Sequence, residues 1–111
     1  MNGKAVFDKA TTALPECIRE ILRMNRLSLS DVSVILPHQA SARVLNRTAV
    51  VLDVPFDRMR TNLETCANTA GASVPRVLDH VNRAGGIHEG DLVLFAAIGA
   101  GWTWGASLYR W

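Results

Sequence analysis

An apolar run interrupted only by Ser33, Val32-Ser33-Val34-Ile35-Leu36, stops at Pro37-His38-Gln39-Ala40, and a helical pattern starts at Ser41. A short segment this apolar reads as a strand covered on both faces, so the chain needs helices packed over a sheet. In such an α/β domain, ligand-binding and catalytic groups gather at the carboxyl ends of the strands. His38 stands at that junction. Two later stretches also follow expected strands: Cys66-Ala67-Asn68-Thr69-Ala70 and Gly99-Ala100-Gly101-Trp102-Thr103-Trp104-Gly105.

The rest of the chain supplies the covering layers. From Ala5 to Asn25, Val6, Ala10, Leu14, Ile18, Ile21 and Leu22 recur at helical spacing, with Pro15 expected to kink or break the helix. Ser41 to Leu52 reads as a second helix capped by Ser41, with Ala42, Leu45, Ala49 and Leu52 inward. Arg43 and Arg47 lie four apart on its outer face. Met59 to Leu63 is a weaker strand candidate. A third helix starts among the small residues after Asn68, accepts Pro75 in its first turns, and ends at Gly85-Gly86.

Asp91 to Ala97 is a second apolar strand. Gly99-Ala100-Gly101 turns the chain, and Trp102 to Trp111 returns as its antiparallel partner. The expected order is αβαβαββ around a mixed sheet, in one domain over residues 1–111. An order that opens on a helix hints that the first strand of the unit is missing.

At 111 residues, 49% of them hydrophobic, the chain is apolar for its size, so part of its surface is expected to await a partner. A second copy would serve. A formal charge of +2, spread along the chain, gives no pull toward nucleic acid. Cys17 and Cys66 are too far apart to suggest a metal site or a disulfide framework, and His80 and His88 lack ligand spacing. No leader and no membrane-spanning run is visible, so a soluble cytoplasmic protein is expected.

Three motifs together carry a resemblance. Pro37-His38-Gln39-Ala40-Ser41, Asn68-Thr69-Ala70-Gly71-Ala72-Ser73-Val74-Pro75 and Gly99-Ala100-Gly101-Trp102-Thr103-Trp104-Gly105 match, in order and spacing, the PHQAN, GNTSAASVP and GGGFTWG patterns of a known family. Over essentially its whole length the chain resembles the C-terminal part of a β-ketoacyl-[acyl-carrier-protein] synthase III, a condensing enzyme of thiolase-like fold. The resemblance implies a fold of two similar halves, of which this chain is most of the second. It also implies that the nucleophilic cysteine lies in the other half, so that neither Cys17 nor Cys66 takes its place.

For the site, the resemblance implies that His38 and Asn68 are catalytic and stabilise the enolate formed when a malonyl thioester loses CO₂. Read from the residues alone, a histidine satisfied by a backbone carbonyl at a strand end outweighs a catalytic His38, and a helix N-cap outweighs a catalytic Asn68. Gly99, Ala100 and Gly101 match the turn whose backbone N–H serves an oxyanion hole. Ala100 replaces a glycine there, which would be strained at positive φ. Arg43 matches an arginine that docks the acidic acyl carrier protein, whereas Arg47 reads as a solvated helix face. Ser41, Cys66 and Ile98 depart from the family pattern near the expected site.

The resemblance implies no bound cofactor and no metal, with acyl-CoA and malonyl-ACP as substrates of the complete enzyme. The chain by itself is expected to be inactive, needing a cysteine-bearing N-terminal half in the same or a separate chain. Rival readings are a subunit of a split synthase, a fragment of a longer chain, and a non-catalytic module of the same fold that docks a carrier protein.

Overall fold

A computed structural model describes residues 2–111. Its elements are α1 (Gly3–Met24), β1 (Val34–Pro37), α2 (Ala42–Leu52), α3 (Leu63–Cys66), α4 (Ser73–Arg83), β2 (Leu92–Gly99) and β3 (Thr103–Arg110). The sheet order is β1-β2-β3. β1 runs parallel to β2, with Pro37 opposite Ala96, and β3 returns antiparallel, with Gly99 opposite Thr103. The sheet is therefore mixed, as the sequence implied.

The period-2 alternation of strands sorts the side chains onto two faces. Ile35, Leu92, Leu94, Ala96 and Ile98 join Leu14, Ile18 and Leu22 of α1 and Leu45, Ala49 and Leu52 of α2 in one core. Val34, Leu36 and Val93 face the other way and pack on Val77 and Val81 of α4. Helices thus cover both faces of β1 and of the start of β2, while Phe95 is half-buried and Ala97 exposed further along β2.

α1 begins at Asn2, whose side chain accepts the Ala5 N–H, and ends at Asn25. It passes through Pro15 without a break, one of the two outcomes expected there from sequence. Proline removes one helical hydrogen bond, a local cost of roughly 3 kcal/mol. Here Pro15 is buried between Leu14 and Ile18, and packing of that face holds the helix together. α2 is capped by Ser41, whose hydroxyl accepts the Val44 N–H at 3.2 Å. Its buried face carries Val44, Leu45, Thr48, Ala49 and Leu52; Ala42, expected inward, is exposed. Gly85, at φ +76, ends the run after α4.

The strand expected over 59–63 is reduced to a single parallel bridge between Ile35 and Met59. The Arg60 N–H donates to the Ile35 carbonyl at 3.0 Å, but the ladder goes no further. The reason is the side chain of Gln39, which donates to the Arg60 carbonyl and accepts the Asn62 N–H. Those two backbone groups are spent on a side chain, and α3 starts at the next residue. The observed order is consequently αβαααββ. Among the described residues, no helix is long and apolar enough to cross a membrane.

Candidate active site

Parallel pairing brings the carboxyl ends of β1 and β2 to the same edge of the sheet. The His38 N–H, just past β1, donates to the Ala96 carbonyl of β2 at 2.7 Å. Three residues further along β2 the Gly99 turn begins. Asn68 arrives from the third direction, in the loop between α3 and α4. One open hollow of about 630 Å³ is lined by His38, Asn68, Ser73, Ile98, Gly99 and Ala100. A neighbouring hollow shares His38, Asn68, Gly99 and Ala100 and continues over Gly101 and Trp102. The three stretches picked out by sequence are brought together in one place.

The His38 ring is half-buried, and desolvation by burial holds its pKa below the ordinary value. Burial therefore favours the neutral imidazole. Its Nδ1 is hydrogen-bonded to the hydroxyl of Ser73, the first residue of α4. Nε2 makes no hydrogen bond to any described residue. A bond from a backbone carbonyl to the ring, the bland alternative for this histidine, is not what the structure shows.

Asn68 does not cap α4, whose N-cap is Ala72. Its Oδ1 instead accepts the Ala70 N–H at 2.9 Å, an Asx turn. That contact turns the Nδ2 group toward the Ala40 carbonyl, 3.4 Å away. One Nδ2 hydrogen then remains without a protein partner. Asn68 therefore keeps a neutral N–H to spare, and the second ring nitrogen of His38 is free of protein partners.

In the β2–β3 turn the positive φ falls on Gly101, at +106°, and Ala100 is not among the positive-φ residues. The strain expected for Ala100 does not arise. It appears instead at Ala67, which has φ 54° and ψ −158° immediately before Asn68. That region is essentially reserved for glycine. Ala70, also in this loop, has φ 51°.

Arg43 is exposed on α2, with its guanidinium 5.1 Å from the centre of the Phe7 ring of α1. Arg47 is exposed as well. Cys66 does not line the His38 hollow. It opens onto a separate one with Asn62, Pro75 and His80, and its Sγ is 3.2 Å from an Arg76 nitrogen. Of the three departures from the family pattern, only Ile98 touches the site; Ser41 is the α2 cap. Cys17 lies on α1, where burial pushes its thiol up to about 11.

Sequence patterning does not single out Gln39, Ser73 or Ala67. Gln39 is fully buried and Ser73 almost so. The signal that points to them is a polar residue inside each apolar-looking motif, one beside His38 and one five residues after Asn68. For Ala67 the signal is its place, where the family pattern has glycine.

Residues 22–111 match the family described as 3-oxoacyl-[acyl-carrier-protein (ACP)] synthase III C terminal. The chain belongs to this family. Among curated relatives, the β-ketoacyl-[acyl-carrier-protein] synthase III of Erythrobacter litoralis is 43% identical over 111 residues, covering 100% of this chain and 35% of the relative. That of Rickettsia bellii is 39% identical with the same coverage. The crystal structure of 3-oxoacyl-(acyl carrier protein) synthase III from Pseudomonas aeruginosa superimposes with a TM-score of 0.96 at 38% identity, over 100% of this chain and 35% of that one. A priming β-ketosynthase from a polyketide biosynthetic pathway gives 0.87 at 32% identity, over 99% of this chain and 34% of that one. The fold of this synthase III C-terminal chain is thus that of the C-terminal part of thiolase-fold condensing enzymes. The chain spans about a third of the length of the curated relatives it matches (35%).

Proposed function

We propose that this chain is the C-terminal catalytic part of a synthase III-type acyltransferase, with His38 and Asn68 serving decarboxylative condensation. The observation that carries the reading is that both residues, thirty positions apart, line the same hollow, Asn68 with an Nδ2 hydrogen to spare and His38 with an Nε2 free of protein partners.

The chemistry follows from that pairing. When a malonyl thioester loses CO₂, the breaking C–C bond leaves its electron pair on the α-carbon. The charge is shared with the thioester oxygen as an enolate. Two fixed donors, His38 Nε2–H and Asn68 Nδ2–H, stabilise that oxygen as its charge develops. The amide donor of Asn68 cannot surrender a proton to the carbanion, and a neutral imidazole is a poorer acid than an imidazolium. The carbanion therefore survives to attack the acyl thioester, and the acyl group leaves its thiolate as the new C–C bond forms.

The thiolate would come from residues outside this chain. Cys17 is half-buried on α1 with its pKa raised, and Cys66 faces another hollow. The Gly99-Ala100-Gly101 turn borders the site and is placed to offer backbone N–H to the acyl thioester oxygen. Arg43, exposed on α2, would contact the acidic carrier protein bearing the malonyl group, mainly speeding encounter. Acyl-CoA would be the acyl donor.

The test is CO₂ release from malonyl carrier protein by the condensing enzyme that contains this segment. His38→Ala and Asn68→Ala should each lower it by roughly 100-fold or more, the usual loss for one donor to a developing oxyanion. Undiminished release from both variants overturns the reading. Carrier binding that depends on Arg43 without any CO₂ release would identify a docking module instead.

A further inference from the structure

The buried Ser73 hydroxyl sits between two groups. The backbone N–H of Gln39 donates to its Oγ at 3.2 Å, and His38 Nδ1 contacts the same oxygen. A hydroxyl has one proton to give and two lone pairs to accept with. Gln39 takes a lone pair. The remaining question is which way the hydrogen bond to Nδ1 runs.

If Nδ1 carried a proton, Ser73 Oγ would accept from both neighbours. Its own hydrogen would then need a third partner. Ser73 is 1% exposed, and no other acceptor among the described residues reaches its hydroxyl. A buried donor left without a partner forfeits its hydrogen bond to water and gains nothing in return. If Nδ1 is bare, the hydroxyl donates to it, Gln39 donates to the hydroxyl, and every group is satisfied. The proton of a neutral imidazole must then lie on Nε2, since the two nitrogens share one.

We propose that Ser73 is a positioning residue that holds His38 as the Nε2–H tautomer, by relaying the Gln39 backbone N–H through its hydroxyl to Nδ1. The ring is thereby turned so that its only N–H points away from α4. The proposal rests on the reading of His38 as a donor to the enolate oxygen, and it supplies what that reading requires. The opposite tautomer would present a lone pair to a developing anion and repel it. Both residues of the relay are secured independently: Gln39 follows His38 directly, and Ser73 opens α4, whose Val77 and Val81 anchor it to the sheet.

The tautomer can be read without catalysis, by long-range ¹H–¹⁵N correlation on the ¹⁵N-labelled chain at pH 7.5. The wild type should show His38 as a single Nε2–H species. Ser73→Ala should give a mixture of both tautomers, and Ser73→Thr, which keeps the hydroxyl, should restore the single one. If Ser73→Ala loses its folded spectrum, Ser73→Cys replaces it, and its weaker donor should also admit the second tautomer. An Nδ1–H species in the wild type overturns the proposal, as does a tautomer unchanged by loss of the hydroxyl.

In the condensing enzyme, Ser73→Ala should lower kcat about 10-fold with little change in KM, and Ser73→Thr should recover it. A decarboxylation rate indifferent to His38→Ala would sink the functional reading and leave the tautomer result standing, so the two failures are distinguishable.

Discussion

The carboxamide of Gln39 accepts the Asn62 backbone N–H at 3.1 Å from a site with no solvent exposure. Its Nε2 donates to the Pro37 and Arg60 carbonyls at 2.8 and 3.1 Å. One side chain therefore clamps the end of β1 to the segment that leads into the Asn68 loop, and His38 and Asn68 hang from the two sides of that clamp. Gln39→Leu keeps the volume and strands three backbone groups. The expected loss of stability is about 3 kcal/mol, at 1–3 kcal/mol per buried unsatisfied group with partial relaxation. The urea unfolding midpoint measures it, and a variant as stable as the wild type would show that the clamp is idle.

Ala67 carries a Cβ in a backbone region that glycine alone occupies freely, at φ 54° and ψ −158°. Strain of this kind is worth on the order of 1–3 kcal/mol, partly offset by the greater unfolded-state freedom of glycine. Ala67→Gly should stabilise the chain by about 1 kcal/mol. Ala67→Val, whose branched side chain is worse there, should destabilise it. Equal unfolding midpoints for all three chains would mean that the loop before Asn68 is not strained.

The β2–β3 turn gives a paired test. Gly101 has φ +106°, and a Cβ added there would meet nothing within 4 Å, so Gly101→Ala encounters backbone strain alone. A loss of roughly 1–2 kcal/mol is expected. Ala100→Gly should bring no gain, because Ala100 has no positive φ to relieve. The reverse pattern in thermal melts would place the left-handed residue at 100.

Stability should depend on pH through His38. Burial lowers its folded-state pKa below the ordinary 6.5. Above that value both states are neutral and this residue contributes no slope. As pH falls below 6.5 the unfolded chain takes up a proton first, so stability declines until the pH passes the folded value. Denaturation curves at pH 7.5 and pH 5.5 should show a larger loss for the wild type than for His38→Gln. Equal losses would remove the effect from this ring.

β3 is an edge strand with Trp104 and Tyr109 exposed at 40% and 59%. Exposed aromatic groups beside unpaired strand backbone favour association. Sedimentation should show concentration-dependent self-association of the chain. Trp104→Glu, beside Lys9, whose ammonium sits 4.5 Å from the Trp104 ring centre, should weaken it. A concentration-independent monomer would argue against this edge strand as a contact surface.

The layered α/β plan and the place of His38 are legible in the amino-acid order alone. Apolar runs such as Leu92-Val93-Leu94 and helical stripes such as Leu14, Ile18 and Leu22 record burial directly, because each periodicity is a property of one element. Three motifs in register were enough to bring His38, Asn68 and the Gly99 turn to one edge of the sheet. Folding settled what depends on partners distant in the chain. Pro15 stays helical because α2 and the sheet pack against its face. The bridge at Met59 stops because Gln39, twenty residues earlier, claims the next backbone groups. The orientation of the His38 ring is set by Ser73, thirty-five residues away. A side-chain hydrogen bond leaves no period in the sequence, so its two ends can be matched only once the chain has folded them together.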